Sequence, residues 1–363
     1  MSAMPPRSRG SIDIIVPTHV LDRPVERAIG SVLADGLGGA RAILVCHGVP
    51  STKVLGRVPD ELLDRVTVVE HTDGIPSAAG PFNAGLALSD AEFVGVMGSD
   101  DFLQPGALAA WRAMLQQSDA SVVLARVVHQ NGGLVRTPPT RLGRRSARLD
   151  WARDRLAYRT APLGLMRSSL VAGLGLRFEE HVATAEDLGF GIRLLTGAHR
   201  VDYARRAPAY VVGADAVTRV TQTPRPVAAD LQSAVEVTRS EWFCDLSDEV
   251  RHAAVVKIVR IHVFGAVFNR RNAPWPDSER ASLAEAAAAV EHASPSMRRV
   301  LSVVEDSLWR AIVTPSIPAT ELVALAVART RHGHLKTLVS TDPRRVFDPQ
   351  APIRLMVASA LMR

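Results

Sequence analysis

Four short apolar runs rich in β-branched residues occur within the first hundred residues, separated by more polar stretches. They are residues 11–17 (SIDIIVP), 42–46 (AILVC), 66–70 (VTVVE) and 92–97 (EFVGVM). Runs of this kind are typical of parallel strands that are buried on both faces. Helical periodicity over residues 23–33 and 77–88 indicates strand–helix alternation, which predicts a mostly parallel α/β sheet. Such sheets bind ligands beyond the carboxyl ends of their strands.

The pattern changes near residue 220. Before it we predict strands at residues 121–126 and 209–213, a helix at 185–195 and an irregular, Arg-rich loop at 137–159. After it nearly every stretch has helical periodicity. The predicted helices are residues 228–245, 248–269, 278–292 and 297–313. Two prolines in TQTPRP favour extended backbone. The sequence therefore predicts an α/β domain over residues 1–220, a linker over 221–226 and an α-helical domain over 227–363.

Composition excludes several classes of protein. Hydrophobic residues make up 47% of the 363 residues, enough for a packed core, and no uninterrupted apolar run reaches the roughly 18 residues of a membrane-spanning helix. The only cysteines, Cys46 and Cys244, are too few for a disulfide framework or a thiolate metal site. Because the first ten residues lack an apolar signal core, we expect a cytoplasmic protein.

Positive charge is concentrated at the C-terminal end. Residues 251–363 contain 16 Lys and Arg against 9 Asp and Glu, a net charge of +7, whereas the remaining residues sum to −1. The arginines are scattered, which is typical of solvated helix faces. The alternatives are contact with anionic lipid, with a polyanionic substrate or with nucleic acid.

Two acidic motifs are candidates for chemistry. Asp100 and Asp101 follow the fourth apolar run directly in the motif GSDD, where carboxylates suit Mg²⁺ or Mn²⁺. The alternative is that Ser99 or Asp101 caps a helix. Farther on, Glu186 and Asp187 in the motif AED begin a predicted helix, whose dipole stabilises an ionised general base. The alternative is an acidic first turn that serves helix stability alone.

Three segments together resemble family two glycosyltransferases. IDIIVPTHVLDRPVERAIGSVL is similar to their opening strand and helix, and GIPSAAGPFNAGLALSDAEFVGVMGSDDFLQPGAL to their central block with its metal motif. LRFEEHVATAEDLGFGIRLL resembles their acceptor-side Glu-Asp motif. The blocks occur in the family's order over about the first 215 residues. The resemblance implies a GT-A nucleotide-binding sandwich and inverting transfer of a sugar from a nucleotide donor to a hydroxyl, in the manner of bacterial enzymes that decorate cell-wall polymers.

The resemblance also implies roles for individual residues. The donor-binding residues are Pro17, Thr18, His19, Asp73, Asn83 and Ser99. Asp100 is the implied ligand of Mn²⁺ or Mg²⁺, with Asp101 either assisting it or capping the helix. Asp187 is the implied catalytic base, and Glu186 shapes its surroundings.

The resemblance carries expectations about partners as well. They are a nucleotide-sugar donor, most simply a UDP-sugar, and a glycan or cell-envelope polymer as acceptor. Nucleic acid is not among them. We further expect peripheral contact with the inner face of the cell membrane through the basic C-terminal helices, and we consider a homo-oligomer.

The sequence departs from the family at two informative places. Cys46-His47-Gly48 stands where members carry an acidic residue that reads the donor base, and Gly98 replaces the first aspartate of the metal motif. These departures favour an alternative, a catalytically weakened scaffold protein. A second alternative, a sugar-nucleotide nucleotidyltransferase, would show an early glycine-rich phosphate-binding segment with a basic residue beside it. That segment is not evident here.

Overall fold

The computed structural model describes residues 8–34, 37–141, 146–214 and 225–362. Ten strands are found in this part of the chain. They are β1 (Ile12–Thr18), β2 (Ala40–His47), β3 (Val66–His71), β4 (Phe93–Val96), β5 (Phe102–Leu103), β6 (Val122–Ala125), β7 (Val127–His129), β8 (Gly164–Arg167), β9 (Val201–Ala204) and β10 (Tyr210–Val212). The six strands that the sequence predicts correspond to β1, β2, β3, β4, β6 and β10, and they are confirmed.

Seven strands form the main sheet in the order β3-β2-β1-β4-β8-β6-β9. The pairs β3–β2, β2–β1, β1–β4 and β6–β9 are parallel, and β8 runs antiparallel between β4 and β6. The remaining three strands form a small sheet in the order β5-β10-β7. The prediction of a mostly parallel sheet is therefore confirmed.

Close backbone approach explains how the unpredicted strand β8 fits between its neighbours. Gly164 has a φ of +139°, and a Cβ added there would lie 2.0 Å from the carbonyl oxygen of Val123. A Cβ added at Gly95 on the other side would lie 2.6 Å from the carbonyl oxygen of Gly164. Both positions therefore need glycine.

Helices cover both faces of the sheet. Those within the α/β part are α1 (Val25–Leu33), α2 (Ser51–Leu55), α3 (Ala79–Leu88), α4 (Ala107–Gln117), α5 (Ser168–Gly173) and α6 (Leu188–Gly197). Helix α1 buries Val25, Ala28, Ile29, Val32 and Leu33, the apolar stripe of its sequence. Helix α6 begins three residues later than predicted, with Asp187 as its N-cap residue.

The C-terminal part is helical, as predicted. Its helices are α7 (Val227–Arg239), α8 (Glu241–Cys244), α9 (Asp248–Ile258), α10 (Phe264–Asn269), α11 (Asp277–Ala293), α12 (Val303–Val313), α13 (Ala319–Arg329), α14 (Leu335–Leu338) and α15 (Pro352–Ala360). A π-helical turn, Val259–Val263, joins α9 to α10. The predicted helix at 297–313 begins only at α12, where Ser302 and Glu305 form a capping box. Of the predicted linker, residues 221–224 lie outside the described residues.

A common apolar core attaches these helices to one face of the sheet. One buried cluster contains Ile15 of β1, Phe190 of α6 and Trp309 of α12. Of the predicted irregular segment at 137–159, residues 142–145 lie outside the described residues. The part around Trp151 lies against the helices, because Trp151 Nε1 donates to the carbonyl of Val250 at 3.1 Å. The side chain of Arg155 likewise donates to the carbonyl of Pro349 at 2.7 Å. In the described part of the chain, no helix is both long and apolar enough to span a lipid bilayer.

Candidate active site

Polar side chains gather where β1, β2, β3 and β4 end, at one edge of the sheet. His19 follows β1, His47 and His71 end β2 and β3, and Asp100 follows β4. The pKa of His19 is lowered by partial burial and by the neighbouring charges of Arg23 and His47, while Asp100 opposes this shift. The expected clustering at the carboxyl edge of the sheet is therefore present.

Asp100 pairs with an arginine from the first helix region. Its Oδ1 accepts a hydrogen bond from Arg23 Nη1 at 2.9 Å, and Arg27 Nη2 donates to its backbone carbonyl at 2.5 Å. The fully buried Ser99 lies beside them, with its hydroxyl 3.4 Å from Arg23 Nη1. No described residue donates a hydrogen bond to Oδ2, and the side chain stays 15% exposed. One carboxylate oxygen of Asp100 can thus bind a cation, and Arg23 lies close enough to contact an anionic group.

Asp101 has different hydrogen-bond partners from those of Asp100. Its Oδ2 accepts a hydrogen bond from the hydroxyl of Tyr210, and its Oδ1 accepts one from the backbone N–H of Gly213 at 2.9 Å. Burial raises the pKa of Asp101, and these two hydrogen bonds oppose that rise. Asp101 thereby ties the end of β10 to the turn that carries Asp100.

Gly98 stands where the family carries an aspartate, and the structure gives a steric reason. A Cβ added at this position would lie 2.8 Å from Asp101 Oδ2 and 3.3 Å from Asp100 Oδ1. Any side chain would therefore crowd the two carboxylates. The hydrogen bond between Gly98 N–H and the hydroxyl oxygen of Tyr210, at 3.1 Å, fixes the turn.

Two histidines bracket Asp73 beside this turn. His47 Nε2 lies 2.7 Å from Asp73 Oδ1, and His71 Nε2 lies 2.9 Å from Oδ2. Although burial opposes the shift, hydrogen bonds from the backbone of Ile75 and from both histidines hold the pKa of Asp73 well below its usual range. The three ligand atoms lie within 4.8 Å of one another, so this set offers a second place for a metal ion. The carboxylate of Asp73 also lies beside the end of β2, where family members carry an acidic residue that this chain lacks.

The remaining residues predicted to bind the donor line the same region. Pro17 is half-buried, whereas Thr18 is buried and donates its hydroxyl to the carbonyl of Val20 at 3.0 Å. Asn83 is buried, and its amide donates to the carbonyl of Phe178 at 2.9 Å and to Glu180 Oε1 at 2.7 Å. Its Oδ1 also accepts from the backbone N–H of Phe178 at 2.9 Å. Asn83 thus joins helix α3 to the segment that leads to Asp187.

A group of carboxylates lies around the N-terminus of α6. Burial raises the pKa of Glu186 and that of Asp187, and the charge of Asp187 raises the pKa of Glu186 further. Burial also raises the pKa of Glu179 to about 7, with the charges of Glu236 and Asp187 adding to the effect. The hydroxyl of Ser233 donates to Glu179 Oε2 at 2.8 Å, so α7 of the helical part contributes to this group.

Asp187 has cationic and hydroxyl neighbours. The charge of Lys257 and a hydrogen bond with Thr160 both lower the pKa of Asp187 and partly offset its burial. Lys257 Nζ is buried, 3.3 Å from Thr160 Oγ1 and 2.9 Å from His262 Nε2. Gly191 lets α6 approach this point, because a Cβ there would lie 2.1 Å from the carbonyl oxygen of Thr160.

Sequence reasoning missed Arg23, Thr160, Glu179, Lys257 and His262. A signal did exist for two of them. Lys257 and His262 interrupt the longest apolar stretch of the chain, residues 253–268, and a charge inside such a stretch needs a buried partner. The π-helical turn between α9 and α10 brings His262 back to Lys257.

Comparison with known proteins agrees with this geometry. Residues 13–175, which contain β1 to β8 and the turn of Asp100, match the family described as Glycosyl transferase family 2. Residues 13–175 thus resemble family 2 glycosyltransferases over 163 of the 363 residues. The predicted resemblance is thereby confirmed.

Two curated relatives contain a similar glycosyltransferase domain. The poly(ribitol-phosphate) β-N-acetylglucosaminyltransferase TarS of Staphylococcus aureus is 22% identical over 192 residues, which are 52% of this chain and 33% of that protein. A poly(ribitol-phosphate) β-glucosyltransferase of Bacillus spizizenii is 20% identical over 194 residues, 52% of this chain and 30% of that protein. The matched region therefore spans about a third of the length of these relatives.

Solved structures are similar over most of the chain. Crystal structures of residues 1–349 of S. aureus TarS superpose with a TM-score of 0.68, and with 0.71 for its complex with UDP-GlcNAc, at 15% and 14% identity. Each match covers 89% of this chain and 93% of the crystallised TarS fragment. The glycosyltransferase domain thus has a GT-A fold with helices following it, and the predicted fold class is confirmed.

Proposed function

We propose that this protein is a metal-dependent, inverting glycosyltransferase that moves a sugar from a nucleotide-sugar to an acceptor hydroxyl. One observation carries the proposal. The sheet edge with Asp100 and Arg23 suits a cation and a diphosphate. Asn83 of α3 hydrogen-bonds with Glu180, in the segment that leads to the half-buried Asp187. Donor activation and acceptor deprotonation thus have separate groups within one site.

A UDP-sugar is the donor that we propose. TarS has been crystallised with UDP-GlcNAc and with UDP, and this chain shares its fold. The base pocket lies at the ends of β1 and β2, beside Pro17 and Thr18. Because His47 and His71 hold Asp73 ionised, its carboxylate provides an acceptor for a base N–H group at the place where Cys46-His47-Gly48 lacks one.

Asp100 is the residue that we propose holds Mn²⁺ or Mg²⁺. These cations bind through one or two carboxylates and take their other ligands from water and phosphate oxygens, which suits a lone oxygen such as Asp100 Oδ2. When bound, the metal offsets the charge that develops on the leaving diphosphate. Arg23 holds Asp100 in place and adds a positive charge next to the same phosphates. Asp101 orients the turn and is not needed as a ligand.

Asp187 is the proposed base. It lies at the N-terminus of α6, where the helix dipole favours its ionised form. Thr160 and Lys257 act as positioning residues, because they stabilise the ionised carboxylate within a buried site. Glu186 and Glu179 are half-buried beside Asp187 and shape its surroundings. A base on the face opposite the leaving group, acting in a single displacement, inverts the anomeric centre.

For the acceptor we propose a polymer of alditol phosphates. Both curated relatives are described as poly(ribitol-phosphate) glycosyltransferases. The net positive charge of residues 251–363 provides long-range attraction for a polyanionic chain.

Ligand-dependent stability tests the donor first. Thermal unfolding is measured with UDP, UDP-GlcNAc, UDP-glucose and GDP-mannose, each with and without Mn²⁺. A ligand at a hundredfold excess over its dissociation constant stabilises the folded state by about 2.7 kcal/mol. We expect a metal-dependent rise with UDP compounds, reduced for Asp100→Asn and Asp73→Asn.

Product analysis then separates the alternatives. A transferase releases UDP in proportion to the sugar that appears on poly(ribitol phosphate), and a nucleotidyltransferase instead releases pyrophosphate from a nucleoside triphosphate and a sugar phosphate. If no nucleotide stabilises the folded protein, the scaffold alternative replaces this proposal.

A further inference from the structure

A cluster of exposed apolar side chains lies near the C-terminal end, away from the residues of the proposed active site. Eleven large hydrophobic side chains are exposed in the described part of the chain, and six of them fall within residues 335–361. We name these six the C-terminal apolar surface: Leu335, Val339, Phe347, Ile353, Val357 and Leu361. Phe347 is 81% exposed and Leu335 78%. Such a concentration marks an interaction site.

The folding of the C-terminal helices does not require these side chains. Helix α15 packs inward through Pro352 and Ala358. Ile353, Val357 and Leu361 recur every four residues, so they form a stripe on a different, outward face. A helix with an apolar outer face gains no stability from that face in water, which indicates that something covers it.

The elements that carry this surface are held together and fixed to the rest of the protein. Helix α14 packs against α15, and the guanidinium of Arg354 donates to the carbonyl of Phe347. Gln350, between them, is buried and donates to the carbonyl of Ala152 at 2.9 Å. The surface is therefore a defined platform, anchored to the segment that leads to Thr160.

The charges around the platform are positive. Arg331, Lys336, Arg344 and Arg354 are exposed. The only two acidic residues between 331 and 362 are partly buried and paired, Asp342 with Arg299 at 2.7 Å and Asp348 with Arg345 at 3.5 Å. No exposed carboxylate lies in this described segment to repel an anionic partner.

We propose that the C-terminal apolar surface docks onto an anionic lipid bilayer. Exposed aliphatic and aromatic side chains enter the boundary between headgroups and acyl chains, while the surrounding arginines and lysine contact anionic headgroups. A protein partner would match the apolar side chains equally well, but the uncompensated basic rim favours a surface of uniform negative charge. This inference goes beyond the proposed sugar transfer and does not depend on it.

Vesicle binding by the full chain tests the proposal. Flotation is measured with vesicles of phosphatidylcholine alone and of phosphatidylcholine mixed with phosphatidylglycerol, at low and at physiological salt. We expect binding to the anionic vesicles at least tenfold stronger than to the neutral ones, and weaker as salt rises. The double variant Leu335→Ser/Phe347→Ser should lose at least tenfold in affinity. Lys336→Gln and Arg344→Gln should each lose about fivefold.

Leu88→Ser is the matched control, because Leu88 is 47% exposed but lies outside the surface. Its binding should equal that of the unchanged protein, and all variants should keep the same melting temperature. Equal binding to neutral and anionic vesicles, or none to either, overturns the proposal. A concentration-dependent dimer in sedimentation velocity that Leu335→Ser/Phe347→Ser abolishes would also overturn it, because a second copy would then cover the surface.

Discussion

The ammonium of Lys257 and the hydroxyl of Thr160 lie 3.3 Å apart, although 97 residues separate them in the chain. Lys257 belongs to α9 of the helical part, and Thr160 lies in the irregular segment just before β8. Thr160 in turn hydrogen-bonds with Asp187. The helices after residue 225 thus supply a cation near the proposed base, and we propose that they act together with the preceding domain.

Asp187→Asn should abolish transfer while donor affinity is kept. General base catalysis contributes about 10²–10⁴ in rate, and asparagine cannot accept the proton. The measurements are kcat for sugar transfer and the dissociation constant for UDP in the presence of Mn²⁺. Glu61→Gln, an exposed carboxyl outside the site, is the control and should leave both unchanged. Normal turnover by Asp187→Asn would show that another group is the base.

Lys257→Met should move the acidic limb of the pH–rate profile to higher pH. Burial raises the pKa of Asp187, and the charge of Lys257 lowers it. Removal of that charge raises the pKa of Asp187 further, so a larger fraction of Asp187 is protonated at a given pH. The profile of kcat/KM against pH measures this shift. Lys257→Arg, which keeps the charge, should restore the position of the limb. If the acidic limb of Lys257→Met is unchanged, Lys257 contributes to packing and not to the pKa of Asp187.

Glu179→Gln should stabilise the fold at alkaline pH and have no effect in acid. The pKa of Glu179 is raised to about 7 in the folded state, against 4.5 for the ordinary side chain. Ionisation of Glu179 therefore lowers the free energy of unfolding. The full loss is reached above pH 7, and it disappears as pH falls to 4.5. Since the carboxyl is partly accessible, we expect a gain on the order of 2 kcal/mol at pH 8. Urea unfolding at pH 4.5 and pH 8 measures it, and an equal effect at both pH values would contradict it.

The two adjacent aspartates should respond differently to the same substitution. Asp100→Asn should remove the Mn²⁺ dependence of donor binding with little change in stability. Asp101→Asn should lower the free energy of unfolding by about 1–3 kcal/mol, because it disturbs buried hydrogen bonds with Tyr210 and Gly213. Mn²⁺ titration with UDP and thermal unfolding of both variants distinguish these outcomes. Loss of metal dependence in both variants would make Asp101 a ligand as well.

Gly98→Asp should destabilise the folded protein, although it restores the first aspartate of the family's metal motif. The new Cβ would lie 2.8 Å from Asp101 Oδ2, and the new carboxylate would add a third negative charge to the turn. We expect Gly98→Ala to lower the melting temperature and Gly98→Asp to lower it further. A Gly98→Asp variant that gained Mn²⁺ affinity at unchanged stability would mean that the turn can accommodate a second ligand.

The sequence by itself determined six of the ten described strands, the mostly parallel character of the sheet and, through the family resemblance, its GT-A class. Buried parallel strands need apolar residues at nearly every position, so β1 to β4 are visible as runs, and the residues that follow them must share one edge. Asp100 was predicted in this way, whereas Asp187 was predicted from the start of a helix and from the family resemblance. Strand β8 escaped prediction because its sequence, GLMR, contains no β-branched residue and it fits through backbone contacts at Gly95 and Gly164.

Only the tertiary structure decided which groups meet. Asp101 hydrogen-bonds with Tyr210, which lies 109 residues away in the chain, whereas the adjacent Asp100 pairs with Arg23. Asp73 hydrogen-bonds with His47 at the end of β2, the position where the sequence lacks the family's acidic residue. Periodicity reports which face of an element is buried, whereas a carboxylate's role depends on the partners that packing brings within about 3 Å. Those partners come from distant segments, and no local pattern records them.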